Sequence, residues 1–144
     1  YYAVLKRMGL LYQILDQPGR AEPYVREFLD ARKELTGEND ATYAGGLNDL
    51  ASLLAAIGRT EEAGTRYRDA LTIYETVLGR HHPEYADCLN NLAFLYEQIG
   101  EMAEAETAHR LVLDVRREAL GPDHLEVAES LLTVGTLLLE TDRR

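Results

Sequence analysis

The chain reads LNNLAFLYEQIG over residues 89–100 and LNDLASLLAAIG over residues 47–58. Both stretches begin with leucine and end with glycine, and the offset of 42 residues between them continues along the chain. Aligned without gaps, residues 37–78 and 79–120 are identical at 16 of 42 positions. Such an offset is typical of a repeat architecture, in which each unit is one supersecondary element that buries its apolar face against the next.

Each unit has the pattern of two helices. Leu89, Leu92, Ala93 and Tyr96 are spaced i, i+3, i+4 and i+7, which places them on one stripe of a helix. Gly100 follows as a residue able to end that helix in the left-handed conformation. We predict helices near residues 2–16, 20–35, 41–57, 60–78, 84–99, 102–120 and 124–140, which make three hairpins and one further helix.

Several residues mark the predicted helix starts. Thr60 is the expected N-cap of the fourth helix, and Asp123 with Glu126 forms a capping-box pattern before the last one. Pro83 and Pro122 lie where the next helices are expected to begin, because the first turn of a helix tolerates proline.

Small residues occupy the predicted crossing of the two helices in a unit. Ala51 and Ala93 on the first helices are expected to face Ala63 and Ala105 on the second ones. Side chains of this size let the helix axes approach to about 8–10 Å. Because a lone hairpin cannot bury its apolar face, successive units are expected to stack into a curved solenoid.

These residues resemble a known family. The stretch from Leu89 to Tyr96, the following Gly100, the junction Leu78-Gly79 and the pair His82-Pro83 are similar to the 42-residue tetratricopeptide repeats of kinesin light chains and nephrocystin-3-like proteins. The resemblance implies an all-α fold, a right-handed superhelical solenoid of antiparallel helix hairpins, with three hairpins and one terminal helix. It also implies a single domain over residues 1–144, with units near 1–36, 37–78, 79–120 and a partial unit 121–144.

Composition and charge restrict the partners. The formal net charge is −10, and basic residues occur in no run longer than two, so binding to nucleic acid or an anionic membrane is not expected. The single cysteine, Cys88, cannot form an internal disulfide, and we find no signal-peptide pattern, which together favour a cytoplasmic location. Because the chain starts at Tyr1 rather than methionine, we expect it to be a fragment of a longer protein.

The resemblance also places a candidate binding groove along the first helices. In this family polar side chains of those helices hold a peptide, and an asparagine amide can grip a peptide backbone because it both donates and accepts hydrogen bonds. Asp49 departs from the asparagine found at the matching position of the family. The groove residues carried over to this chain are Lys6, Arg7, Gln13, Asn48, Asp49, Ser52, Asp87, Asn90, Asn91, Phe94 and Glu97.

Several of these residues have an alternative role. The asparagines can serve as solvated surface or as links between helices, and Lys6 with Arg7 can be a solvated basic pair. Phe94 stands where neighbouring units have Ser52 or Thr136, so it either awaits an apolar partner group or packs between hairpins.

Two kinds of activity find little support. A clamp for the carboxylate at a chaperone's C-terminus needs amide and ammonium groups in columns where this chain has Asp49 and Asp87, and these acids would repel a carboxylate. The four histidines lack the spacing of a zinc hydrolase, and no glycine-rich phosphate loop is present. We therefore expect no catalytic residues, no metal and no cofactor.

The sequence favours a scaffold that binds a peptide or protein partner in the concave groove of the first helices. The alternative is a structural spacer or a self-association module of a larger, signalling protein. It is motivated by the apolar last helix, where Leu131, Leu132, Leu138 and Leu139 have no predicted neighbour.

Overall fold

Seven α-helices make up most of the chain in the computed structural model, which describes residues 1–142. No strand occurs within those residues. The helices are α1 (Tyr2–Ile14), α2 (Pro18–Thr36), α3 (Ala41–Ala56), α4 (Thr60–Val77), α5 (Pro83–Ile99), α6 (Met102–Leu120) and α7 (Leu125–Asp142). Every predicted helix is confirmed, with each end within two residues of its predicted place. The predicted start of α2 falls two residues late because Pro18 already occupies the first helical position.

The helices group into two compact units. The first unit, Tyr1–Val77, contains the hairpins α1/α2 and α3/α4, and α2 also packs on α3. The second unit begins at Leu78 and contains the hairpin α5/α6 with α7 packed on α6. We call α1, α3, α5 and α7 the first helices and α2, α4 and α6 the second helices. The prediction of one domain over residues 1–144 stays a prediction.

The turn inside each hairpin is built in the same way three times. The backbone N–H of Gln17 donates to the carbonyl of Tyr12, Arg59 donates to Leu54, and Glu101 donates to Tyr96, each over 2.8 Å. This bond runs from the residue just after the turn residue back to the carbonyl four residues before that turn residue; it is the bond of the Schellman motif and requires a left-handed turn residue. In two hairpins that residue is glycine, as predicted, and in the first it is Asp16 with φ of 53°.

The crossing of the two helices in each hairpin is tight because small residues fill it. Ala51 and Ala93 on the first helices have no exposed surface, and the same is true of Ala63 and Ala105 on the second helices. The first hairpin has Gly9 and Ala21 in these positions, and both are buried. Larger side chains fill the remaining space, among them Leu50, Leu54, Tyr67, Leu92, Val112 and Val115.

Histidines cap the first helices of the second unit. The Nδ1 atom of His82 accepts a hydrogen bond from the backbone N–H of Glu84, and the Nδ1 atom of His124 accepts one from Glu126, both at 3.2 Å. The capping box predicted for Asp123 is wrong, because α7 begins at Leu125 and His124 is the residue that reaches its first turn. Thr60 is the first residue of α4 rather than its N-cap.

Ion pairs link the two second helices of the first unit. Arg26 on α2 contacts Glu62 on α4 at 2.7 Å, and Arg59 contacts Glu22 on α2 at 3.0 Å. These side chains keep part of their surface in solvent, so each pair contributes little on its own. Together they join α2 to the start of α4.

The small residue at a crossing can be tested by enlarging it. We expect Ala93→Leu to lower the free energy of unfolding by about 1–3 kcal/mol, because an added side chain at a fully buried contact forces the helices apart. The control is Ala103→Leu, the same change at an exposed position of α6, which should cost almost nothing. Equal urea midpoints for the two variants would show that the crossing is not tightly packed.

Asp16 offers a second test of stability. Its left-handed conformation costs an L-residue on the order of 1–2 kcal/mol, whereas glycine pays only its own entropy, so Asp16→Gly should stabilise the chain by roughly 0.5–1 kcal/mol. The matched reverse change is Gly58→Asp, which puts aspartate into the same turn of the next hairpin and should destabilise by a similar amount. A urea titration that finds both changes destabilising would contradict this account of the turn.

Candidate functional site

The predicted groove residues all lie on first helices, and none is fully buried. Lys6, Arg7, Asp49, Asp87 and Phe94 are exposed, whereas Gln13, Asn48, Ser52, Asn90, Asn91 and Glu97 are half-buried. Six of them lie on α1 or α3 in the first unit, and the other five lie on α5 in the second unit. The two units are described in turn.

Lys6 and Asp49 interact across α1 and α3 in the first unit. Asp49 remains open to solvent, yet partial desolvation raises the pKa of its carboxyl, while the nearby charge of Lys6 lowers it. Asp49 is therefore an exposed acid on α3 that feels the charge of a basic residue on α1.

Ser52 is already bonded inside its hairpin. Its hydroxyl lies 2.9 Å from the hydroxyl of Tyr67, which projects from α4 into the crossing and is buried. This bond satisfies a buried phenol hydroxyl and fixes the direction of the Ser52 side chain. The fold therefore holds the Ser52 hydroxyl in place, which leaves it less available to a ligand.

His109 joins two of the predicted residues in the second unit. It occupies the same repeat position as Tyr67 and is almost completely buried, as expected for a packing position. Its Nε2 atom lies 2.5 Å from a carboxylate oxygen of Glu97, and its ring meets the ring of Phe94 edge-on with centroids 5.0 Å apart. Phe94 still exposes 46% of its surface. One half of the ring thus packs within its own hairpin, and the other half faces solvent.

Asp87 is held by an arginine that the sequence analysis did not single out. Arg116 on α6 donates to Asp87 on α5 at 3.0 Å and to the hydroxyl of Ser130 on α7 at 2.9 Å. Its Nε atom also lies 3.6 Å from the carboxylate of Glu126. Arg116 therefore ties together the three helices of the second unit, and Asp87 belongs to that link.

The repeat gives no consistent signal for this arginine. In the preceding hairpin the matching positions are Gly45 and Tyr74, and a Cβ atom added to Gly45 would come within 3.3 Å of the Tyr74 hydroxyl. In the first hairpin they are Ala3 and Arg32, and Arg32 pairs with Asp40 instead. The repeat columns alone therefore do not identify Arg116 as the partner of Asp87.

The single cysteine is buried inside the second unit. Burial raises the pKa of the Cys88 thiol to about 12, with the charge of Asp87 adding to the effect. Within residues 1–142, no three His, Cys, Asp or Glu side chains are grouped as metal ligands would be. None of the helices described is both long and apolar enough to cross a membrane.

The repeat length, the left-handed turns and the small crossing residues agree with a comparison against known families. The family model for the tetratricopeptide repeat matches residues 1–75, 42–118 and 89–144. The chain belongs to the tetratricopeptide repeat family. No curated protein matches it in sequence. Tetratricopeptide repeats serve in general as protein-interaction scaffolds, and the fold is typically not enzymatic.

Solved structures show the same fold for this tetratricopeptide chain. BtubC (BKLC) from P. vanneervenii matches with a TM-score of 0.86 at 20% identity over 94% of the chain. Nearly identical TPR-like repeats from a Podosopora anserina protein assigned as a kinesin light chain match with a TM-score of 0.83 at 18% identity over 95% of the chain. The apo form of RapI matches with a TM-score of 0.82 at 16% identity over 99% of the chain.

These neighbours confirm the predicted fold class, an all-α superhelix of helical repeats, and the resemblance to kinesin light chain repeats. The tetratricopeptide chain spans 54% of BtubC, 66% of the Podosopora protein and 50% of RapI.

The bond between Glu97 and His109 can be tested by removing the carboxylate. We expect Glu97→Ala to lower the free energy of unfolding by about 1–3 kcal/mol, because it leaves a buried imidazole nitrogen without its partner. The control is Gln98→Ala, which removes an exposed side chain from the next position of α5 and should be nearly silent. If the two variants unfold at the same urea concentration, Glu97 does not stabilise the hairpin and becomes a candidate for contact with a ligand.

Proposed function

We propose that this chain is a protein-interaction scaffold that binds an extended peptide segment along the solvent-facing side of its first helices. The observation that carries the proposal is the surface of α5, where the half-buried amides of Asn90 and Asn91 lie one turn from the exposed ring of Phe94. Amides next to an exposed aromatic ring suit a ligand with a polar backbone and an apolar side chain.

The asparagines supply contacts that do not depend on the ligand's sequence. A peptide in an extended conformation presents alternating N–H and C=O groups, and an asparagine side chain can meet both kinds. Asn90 and Asn91 are half-buried, so part of each side chain faces solvent, where a ligand can contact it. Asn48 has the same accessibility on α3 of the first unit.

Phe94 supplies the apolar part of the proposed surface. Its edge-on contact with His109 restricts the ring, so that little side-chain entropy is lost when a ligand covers it. An aromatic ring that is fixed on one side and half-exposed on the other is the kind of group that dominates binding energy in protein interfaces. We therefore assign Phe94 as the main apolar contact on α5.

Asp49 and Lys6 supply the polar contact proposed for the first unit. The exposed carboxylate of Asp49 can accept hydrogen bonds from a donor group of a ligand, and the charge of Lys6 lies nearby. Ser52, Asp87 and Glu97 already have partners in their own units, so in this proposal they orient their neighbours instead of contacting the ligand.

The proposal can be tested with peptides selected from a displayed random library on the folded chain. We expect Asn91→Ala to weaken their binding about 5- to 150-fold, because the lost amide leaves peptide backbone groups unsatisfied at a cost of roughly 1–3 kcal/mol. Helical signal and unfolding midpoint, measured alongside, separate this effect from a loss of folded protein. The control is Asn39→Ala, which removes an exposed amide between α2 and α3.

Phe94→Ala should weaken binding in the same assay, whereas the control Asn39→Ala should leave binding unchanged. Peptides that bind the double variant Asn91→Ala/Phe94→Ala as tightly as the parent chain would place the binding surface elsewhere and refute the proposal.

A further inference from the structure

One side of α5 carries the aromatic ring and an amide of the proposed peptide surface. Asp87, Asn91, Phe94 and Gln98 follow one another at steps of four, three and four residues, which places them on one side of the helix. Asn91 is half-buried and the other three are exposed, although the second helix α6 packs on α5. We call these four residues the α5 stripe.

The matching side of α7 has an acid at each end. Glu129, Thr133, Thr136 and Glu140 occupy the same repeat positions, 42 residues further along the chain, and we call them the α7 stripe. Thr133 is half-buried and the other three are exposed, so the two stripes have the same pattern of exposure. Because the α5 stripe keeps this exposure with a second helix in place, solvent contact is a property of these repeat positions.

The two stripes lie on helices that one side chain can join. Arg116 of α6 donates to Asp87 in the α5 stripe at 3.0 Å and to Ser130, the neighbour of Glu129 on α7, at 2.9 Å. An extended peptide advances about 3.3 Å or more with each residue. A bound peptide of a few residues is therefore long enough to contact both stripes.

The charges on these two helices have one sign. Over their described lengths, α5 and α7 contain three and four acids, respectively, and neither helix contains a lysine, arginine or histidine. On α6, Arg110 pairs with Glu106 of the same helix. Arg116 is shared between Asp87 and Glu126, so that one guanidinium serves two carboxylates. The first helices of the second unit therefore keep an excess of negative charge.

The first unit does not have this excess. The charged residues of α1 and α3 are Lys6, Arg7 and Asp49, which are two bases and one acid. The acidic character thus belongs to the surface around Phe94 and is more than a reflection of the net charge of −10.

We propose that the peptide bound by the second unit is basic, with lysine or arginine side chains facing the acids of the α7 stripe and an apolar side chain on Phe94. This proposal rests on the function proposed above and names the chemistry of its ligand. A surface with one sign of charge concentrates groups of the opposite sign and rejects partners of its own sign. The exposed part of the Phe94 ring adds an apolar contact between the charged ends of the stripes.

The first test is the composition of peptides selected from a displayed random library on the folded chain. We expect lysine and arginine to be enriched at least about twofold over the unselected library, because the acids favour ligands of opposite charge. Replacing the basic residues of a selected peptide by glutamate should abolish its binding.

The second test removes one acid of the α7 stripe. Glu129→Gln should weaken binding of the selected peptides about two- to fivefold, the effect of losing an exposed ion pair. The control is Glu104→Gln, which changes the net charge equally at an exposed position of α6 and should leave binding unchanged.

The third test changes the charge beside Phe94 in both directions. Gln98 is exposed and lies one turn from Phe94 on the same side of α5. We expect Gln98→Lys to weaken binding and Gln98→Glu to strengthen it, each by about two- to fivefold. Both differences should shrink when sodium chloride is raised from about 50 mM to about 500 mM, which screens exposed charges. Circular dichroism and urea midpoints verify that every variant is folded.

The results separate this proposal from the proposed function. Selected peptides without basic enrichment, or peptides that respond in the same direction to Gln98→Lys and Gln98→Glu, would overturn the basic ligand. If Asn91→Ala still weakens those peptides, the peptide surface stands and only the chemistry assigned to its ligand fails. Basic peptides that bind the double variant Asn91→Ala/Phe94→Ala as tightly as the parent chain would overturn both proposals.

Discussion

The crossing of two antiparallel helices at a pair of small residues is the contact on which the rest of this structure depends. Ala51 with Ala63, and Ala93 with Ala105, have no solvent contact at all. A larger side chain at either place would separate the helices and break the packing around it, because protein interiors have almost no spare volume. What recurs every 42 residues is therefore this crossing, together with the left-handed turn that joins the two helices of a hairpin.

Around that fixed crossing, the repeats vary in a coordinated manner. The buried position next to the first helix is Val25 in the first hairpin, Tyr67 in the second and His109 in the third. The tyrosine bonds to Ser52, and the histidine bonds to Glu97 while touching Phe94. Each polar group buried at the crossing is thus hydrogen-bonded to a residue of its own hairpin, as a buried donor or acceptor must be.

The same coordination determines which surface residues remain available for binding. Side chains of the first helices point either toward a second helix or toward solvent, and several of the polar ones do both. Asp87 is paired with Arg116, whereas Asn90 and the free half of Phe94 face water. The proposed peptide contacts lie among the side chains of the first helices that keep part of their surface in solvent.

The sequence by itself determined the repeat, the seven helices and the crossing residues. It could do so because helical periodicity, glycine at the turns and alanine at the crossings are local signals that recur every 42 residues. Even so, it placed the cap of α7 on Asp123 instead of His124, since both residues precede the helix and only the backbone path decides which one reaches it.

Only the tertiary structure decided the roles of the candidate site residues. Ser52, Asp87 and Glu97 are polar residues of the kind found at binding surfaces. Each of them is nevertheless bonded to a residue on another helix, 15, 29 and 12 positions away in the sequence. A pairing between helices depends on their rotation and separation, which no local pattern specifies.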